Sequence, residues 1–342
     1  MLELDFLPVE NEEGDSTHSG DAIAMRFTVP GAPRAAVVVI DAGFTDTGDD
    51  VVEFVNRWYG AGRIDVLIST HPDTDHLNGI RTVLESFPVG ELWMHLPWNH
   101  DSRAKELGNY ERIVATYDTA IANGVTVREP FAGVTAFGGS VTVLGPSKEY
   151  YEEQLGLALD EATGVLASHG AIGGVLLAAR TILKRFALAV FPSETLTDTD
   201  DTSSRNNTSV ITLVTADDER VLLTGDAGIN AISQAADRYD LLYGSFTASP
   251  LTVLQAPHHG SHHNLGPAIL DRLVGAPGSG GSKPIAMISS AKASAKHPSP
   301  KVTNAFGRRG VKAYATEGDA LGHGSNRGWN PAVVFPPLSE DD

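Results

Sequence analysis

His71, Asp73, Asp75 and His76 fall within six consecutive residues, and Pro72 stiffens the turn that carries them. The run follows the apolar stretch RIDVLIST directly, so it stands at the carboxyl end of a predicted buried strand. Open α/β sheets bind ligands at such ends, where the strand fixes the backbone and the following loop and helix start are free to carry polar groups. Two more strand ends repeat the arrangement: LLTGDAG brings Asp226, and LQAPHHGSHH brings His258 and His259. Imidazoles mixed with carboxylates suit Zn²⁺, Mn²⁺ or Fe²⁺, whereas an oxygen-only set would suit Mg²⁺ or Ca²⁺. The donors are about as many as two ions need. Two divalent cations set against Asp73, Asp75 and Asp226 would leave a slight positive excess, a local attractor for anions. A pair of cations ~3.5–4 Å apart brings a bridging water towards a pKa of ~7 and steadies both oxygens of a displacement.

The chain that must position these groups has 342 residues, 42% of them hydrophobic and 20% charged. That is about twice a ~150-residue domain and excludes both a small stapled scaffold and a largely disordered chain. There is no cysteine, which removes disulfides, thiolate nucleophiles and thiolate metal sites. With 25 Lys and Arg against 43 Asp and Glu, the net charge of −18 excludes a basic, DNA-coating protein; any polyanion must be captured by a locally positive feature. The start, MLELDFLPVENEEGD, lacks the basic and apolar regions of a secretory signal. The longest apolar stretch, around Gly170 to Ala189, is interrupted by Arg180, Lys184 and Arg185, so a soluble, cytoplasmic protein with no membrane partner is expected.

Strands are predicted over LELDFLPV, DAIAMRFTV and AAVVVID, the last closing on Asp41, with a helix from about Thr47 to Tyr59. Beyond the HPDTDH run come a helix near Asn78 to Ser86, a strand ELWMHLP, a helix near Ser102 to Ala122, and strands near Val125 to Val127 and Val141 to Leu144. A second half repeats the plan: SVITLVT and RVLLTGD, a helix near Asn230 to Arg238, LTVLQAP, a helix near Pro267 to Val274, PIAMISS, and a helix after Pro298. Residues 148–205 lie between the halves as a helical insertion of two or three helices, followed by a polar, partly mobile surface loop, SETLTDTDDTSSRNN.

In this order HPDTDH, LLTGDAG and APHHGS resemble the metallo-β-lactamase superfamily of binuclear metallohydrolases. Asp73 stands where that superfamily usually has the second His of HxHxDH, and in this the chain resembles the soluble hydrolase domain of the DNA-uptake competence protein ComEC. VVVIDAG, NNTSVITLV, PHHGS and the late pair His297 and Pro298 extend the likeness over most of the chain except residues 148–205. The resemblance implies a single α/β domain over residues 1–342, a four-layer αββα sandwich with the helical insertion, and two divalent ions, Zn or Mn. His71 and Asp73 would bind the first, Asp75 and His76 the second, with Asp226 bridging; His258 and His259 both match the last ligand motif. Where a further His commonly precedes the bridging Asp, this chain has Asn206, Asn207 and Ser209, so the first ion would have fewer protein ligands. His297 would hydrogen-bond the substrate or a developing oxyanion. Asp75, His259 and His297 are the candidate catalytic residues. The resemblance carries over no membrane channel.

The implied activity is a metal-dependent phosphodiesterase or nuclease acting on DNA, RNA or a nucleotide through water activated at the metals. A hydrolase of a small ester, lactone or β-lactam uses the same groups, and a metal-stabilised binding or sensor module is a third class. The insertion offers a surface for a protein partner or a homodimer, or a lid. Arg81, Arg205, Lys292, Lys296 and Lys301 are the basic residues nearest the motifs and the candidate phosphate contacts. Asp41 is expected to orient a ligand histidine rather than bind metal. Trp93 and Trp98, flanked by His95 and His100, read as core or pocket wall; His262 and His263 read as loop residues; GHGSNRG reads as a turn; NEEGD and SEDD read as solvated charge runs.

Overall fold

The computed structural model describes residues 1–13, 16–164, 188–292, 294, 296–324 and 335–340. The first half runs β1 (Glu3–Phe6), β2 (Glu10–Glu13), β3 (Ser16–Ser19), β4 (Ala22–Phe27), β5 (Ala36–Ala42), α1 (Thr47–Tyr59), β6 (Ile64–Ile68), α2 (Thr74–Ser86), β7 (Val89–Trp93), α3 (Tyr110–Ala122), β8 (Thr126–Arg128), β9 (Thr135–Ala136) and β10 (Val141–Gly145). Then follow α4 (Lys148–Ala162), β11 (Ile211–Ala216), β12 (Glu219–Leu223), α5 (Ile229–Tyr243), β13 (Val253–Gln255), α6 (Pro267–Val274), β14 (Ile285–Ile288), α7 (Pro300–Arg308), β15 (Lys312–Ala315) and β16 (Leu321–His323).

Two seven-stranded sheets form, in the orders β16-β1-β4-β5-β6-β7-β8 and β15-β14-β13-β12-β11-β10-β9. The period of two along each strand decides the layering. Val38, Ile40 and Ile68 of the first sheet meet Val214, Val221, Leu223 and Val253 of the second in the core between the sheets. Their neighbours Val37, Val39 and Leu67 face the other way and pack under Val51 and Val55 of α1, Ile80 and Val83 of α2 and Ile113 of α3. On the far side Leu213, Leu222, Leu254 and Ile288 pack under Ile232, Leu270 and Phe306 of α5, α6 and α7. The result is the αββα sandwich. β5 to β8 run parallel, as do β12 to β15, so carboxyl ends from both sheets gather at one rim.

Several local expectations are corrected. α2 begins at Thr74 rather than near Asn78, so Asp75 and His76 stand in its first turn, where the helix N-terminus faces them. The helix expected from Ser102 starts at Tyr110, after a single 3₁₀ turn at Ala104–Glu106. Of the two or three helices expected between residue 148 and about residue 190, α4 is described and residues 165–187 lie outside the described residues; the run expected as a polar loop carries no α-helix. That polar stretch is held down: Glu194 pairs with Arg309, Asp198 accepts from Ala268 N at 2.9 Å, and Asp201 accepts from Asn207 and Asn230. NEEGD contributes β2 to a two-stranded hairpin with β3, and Glu340 of the SEDD run is buried against Arg308 at 2.8 Å. In the GHGSNRG run, Gly322 and His323 belong to an edge strand on β1 rather than to a turn, and residues 325–328 lie outside the described residues. No helix among the described residues is long and apolar enough to cross a membrane.

The approach of α2 to the sheet rim depends on Gly79. A Cβ there would lie 1.9 Å from Ala42 O and 2.6 Å from Phe44 O, and backbone cannot yield as a side chain can. Gly79→Ala is therefore expected to lower stability by about 2–3 kcal/mol, the range of core overpacking, and to weaken metal binding by shifting Asp75 and His76. Urea unfolding within about 0.5 kcal/mol of the parent, the range of an ordinary surface change, would show that the close approach is not limiting.

Candidate metal centre

Asp41, the residue before the end of β5, adopts a left-handed φ of 54°. Its carboxylate accepts from Thr70 N at 2.8 Å, from the Thr70 hydroxyl at 2.6 Å and from His76 Nδ1 at 2.7 Å. A carboxylate only accepts, so His76 Nδ1 carries a proton, and Nε2 is the atom left to a cation once it gives up its own. Because the Thr70 hydroxyl donates to Asp41, its oxygen is left to accept from His71 Nδ1 at 3.0 Å, and His71 Nε2 is freed in the same way. His259 Nδ1 donates to Ser289 O at 3.1 Å, at the end of β14. His258 Nδ1 donates to Asn264 Oδ1 at 3.1 Å; the Asn264 amide nitrogen is spent on the carbonyls of Asp226 and Ala227, which fixes its orientation. Four imidazoles thus turn Nε2 inward.

Three of those atoms, on His71, His76 and His258, converge on Asp226. Its Oδ1 lies 3.4 Å from His76 Nε2, while its Oδ2 lies 3.7 Å from His71 Nε2 and 3.5 Å from His258 Nε2. Asp73 Oδ2 is 3.9 Å from His71 Nε2, and Asp75 Oδ2 is 3.9 Å from His76 Nε2 and 3.5 Å from His259 Nε2. These spacings are too long for good hydrogen bonds. They match two donors sharing a cation, since ligands each ~2.0–2.1 Å from a tetrahedral Zn²⁺ are about 3.3–3.4 Å apart. His71 Nε2, His76 Nε2, His259 Nε2 and Asp226 Oδ1 are buried with no hydrogen-bond partner, an expensive arrangement unless a cation completes it. The donors therefore fit a divalent metal, and Asp226 offers one oxygen to each of two sets.

The electrostatics agree. Burial disfavours a charged His76, but the carboxylates of Asp226, Asp41 and Asp75 outweigh it and raise its pKa well above the ordinary value. His259, opposed by burial and favoured by Asp226 and Asp75, is pushed up to about 9. Burial lowers His71, helped by His76. Burial also opposes ionisation of Asp75 and Asp226, yet the surrounding histidines hold both below the usual carboxylate range. Protons thus occupy a well of negative potential that a dication would take over.

All eight sequence-predicted metal and catalytic residues are brought together: His71, Asp73, Asp75, His76, Asp226, His258 and His259 as above, and His297 with its ring 5.6 Å from that of His258 and 6.2 Å from that of His259. Asn207 and Ser209 position others: Asn207 Oδ1 accepts from Gly228 N, and the Ser209 hydroxyl accepts from Asp226 N at 3.2 Å; the Asn206 amide nitrogen, beside the His258 ring, donates to the Thr202 hydroxyl at 2.9 Å. Sequence reasoning missed Asp21. It is buried, accepts from Gln255 Nε2 at 2.7 Å, and lies 3.8 Å from His76 Nδ1 and 3.9 Å from His259 Nδ1. A single Asp opening a strand carries no spacing signal. Among the basic candidates, Arg205 reaches the centre, 3.4 Å from Asp73, whereas Arg81 is engaged by Glu85. Trp93 is core and Trp98 packs at the edge of the helix-side core. His263 pairs with Asp200 at 3.6 Å.

Residues 32–177 match the family model of the metallo-beta-lactamase superfamily, a span that holds the HPDTDH run. No curated protein matches the chain significantly in sequence. Among solved structures, a candidate metallo-beta-lactamase from Thermotoga maritima aligns at 14% identity over 66% of this chain and 78% of its own, with a TM-score of 0.35. A metallo-beta-lactamase from Pontibacter korlensis aligns at 12% identity over 74% and 85%, TM-score 0.34. A diphosphatase from the PhnP family aligns at 14% identity over 87% and 89%, TM-score 0.35.

Because His259 stays protonated below about pH 9 in the metal-free protein, a cation must expel protons to bind. Zinc titration at pH 7 should release protons, giving a binding enthalpy that tracks buffer ionisation, and affinity should rise between pH 6.5 and 9; a buffer-independent enthalpy would contradict this. Asp41→Asn should weaken metal binding by about 10–100-fold in chelator competition, the range for partners of ligand histidines.

Proposed function

We propose that this chain is a metal-dependent hydrolase of the metallo-β-lactamase superfamily that cleaves phosphodiesters of a nucleic acid or nucleotide, as the ComEC-like HPDTDH variant implies. The observation that carries the reading is the division of donors around Asp226. His71, Asp73, His258 and Asp226 Oδ2 would hold one divalent ion; Asp75, His76, His259 and Asp226 Oδ1 would hold the other. In this reading His258 takes the place of the histidine missing before the bridging Asp. When bound, such ions supply Lewis acidity towards the phosphoryl oxygens and lower the pKa of an attacking water.

The chain's own groups do the rest. Arg205, beside Asp73, supplies a fixed positive charge at the rim, suited to a phosphate oxygen in a protein of net charge −18. Asp75 stays ionised and orients the attacking water. His259 cannot hold a cation and pass a proton through the same Nε2, so the leaving-group side falls to His297. Burial, with His259 and His258 nearby, pushes His297 down to about 3, so it is a neutral imidazole, and its buried Nδ1 has no partner. A neutral ring there donates a hydrogen bond to the developing oxyanion. The Ser290 hydroxyl holds the His297 carbonyl at 2.8 Å and keeps the loop in place.

With Mn²⁺ or Zn²⁺ the protein should hydrolyse bis-p-nitrophenyl phosphate and single-stranded oligonucleotides in preference to a lactone, a carboxylic ester and a β-lactam. Asp226→Ala should abolish turnover, and His297→Ala should lower kcat roughly 10²-fold with metal content unchanged. Turnover confined to the carbonyl substrates, or full activity after chelation, would reject the proposal.

A further inference from the structure

Beside His71 the centre opens into a cavity of about 40 Å³, walled by Met94, Leu107, Ile113 and Leu155, with Arg205 also on its lining. By volume it takes roughly three waters, about the bulk of one six-membered ring. Two polar side chains line it without full satisfaction. His95 is 9% exposed, and neither ring nitrogen has a hydrogen-bond partner; Asn109 is 5% exposed, and its Oδ1 is likewise orphaned while its Nδ2 donates to Pro72 O at 2.9 Å. The His95 ring packs on Tyr151 at 4.2 Å and Phe131 at 4.9 Å, so aromatic contacts hold it in place while its nitrogens stay unused. Burial, with His100 nearby, pushes its pKa down to about 3, so the ring is neutral, one nitrogen a donor and the other an acceptor. His100 itself is clamped between Glu129 at 2.8 Å and Glu152 at 2.9 Å and is not free to turn towards the cavity.

We propose that this cavity is a base subsite that takes a single unpaired pyrimidine of a nucleotide whose phosphate lies at the metal centre and Arg205. The inference rests on the phosphodiesterase reading of that centre. A purely apolar group would fill the walls but leave the His95 nitrogens and Asn109 Oδ1 unsatisfied. A phosphate would find too little charge inside. A pyrimidine is flat, one ring in size, and offers donors and acceptors in its own plane. A paired base cannot enter an enclosed space, so the strand must be single or the substrate a free nucleotide. Leu155 and Tyr151 come from α4, which makes the start of the 148–205 segment a wall of the substrate site.

Calorimetric titration of the metal-loaded full chain with uridine 5′-monophosphate, adenosine 5′-monophosphate, ribose 5-phosphate and hexyl phosphate tests this. The uridine nucleotide should bind at least about tenfold more tightly than ribose 5-phosphate and ahead of the other two. Leu155→Trp, which fills the space, and His95→Phe, which keeps the packing but removes both nitrogens, should each bring it within twofold of ribose 5-phosphate without changing the latter's affinity. Equal affinities in the parent, a preference for adenosine or hexyl phosphate, or a uridine preference that survives both variants would overturn the proposal. Because the readout needs no turnover, a protein that binds uridine nucleotide selectively but cuts no phosphodiester would overturn the proposed reaction and support the subsite. One that cuts without base preference would overturn the subsite alone.

Discussion

The centre depends on four Nδ1–H groups being spoken for. Asp41, the Thr70 hydroxyl, Ser289 O and Asn264 Oδ1 each accept from one imidazole, and every one of these acceptors is buried. Were any of those rings, once neutral, to adopt the other tautomer, its Nε2 would bring a proton to the cluster and its lone pair would sit on Nδ1. The acceptors come from β5, the segment after β6, the end of β14 and the loop before α6, so the tautomers are set by how the two sheets are assembled rather than by any local motif.

That requirement explains features that are unfavourable when taken alone. His258 and His259 both adopt left-handed backbone, φ 50° and 56°, a conformation that non-glycine residues seldom take and that costs about 1 kcal/mol or more per residue. The turn they make sends His258 Nε2 to 3.5 Å from Asp226 Oδ2 and His259 Nε2 to 3.5 Å from Asp75 Oδ2. Gly260 completes it at φ 80°, packed so closely on Pro298 that a Cβ would come within 2.8 Å. Asp21, buried with a raised pKa through desolvation, ties the first sheet to Gln255, whose Oε1 in turn holds Thr224 N and Gly225 N in the turn that presents Asp226. The two sheets are thus coupled through polar groups directly behind the candidate ligands, where a shift of either sheet would misplace Asp226.

Much of this was legible in the residues. Apolar strands ending in HPDTDH, TGD and PHHGS located the centre, because strand periodicity and ligand chemistry are both local and the parallel topology brings the ends together. The four layers were what the family resemblance implied; Val37 to Ile40 is apolar throughout and shows no alternation, because both of its faces are covered. What stayed hidden was non-local. Nothing in the spacing marks Asp21 or Asn264 as partners, since each is a single polar residue whose role exists only after the sheets close. Spacing also could not separate His258 from His259, because their division depends on two left-handed residues turning adjacent side chains apart. The polar run at 193–207 looked loose because it lacks periodicity, yet its carboxylates serve as acceptors for helix starts and side chains elsewhere. His95 carried no signal beyond its place beside Trp93 and Trp98; its enclosure depends on the approach of α4, which brings Tyr151 against its ring.

If the fold presets all four imidazoles to offer Nε2 to a metal, long-range ¹H–¹⁵N correlation spectra of the zinc-loaded full chain, with each histidine assigned by substitution, will show it. A protonated Nδ1 and a metal-shifted Nε2 are expected for His71, His76, His258 and His259, with His297 retaining the pattern of a neutral, unligated ring. A metal-shifted Nδ1 at any of the four, or a His258 that keeps the free-imidazole pattern at full metal occupancy, would contradict it.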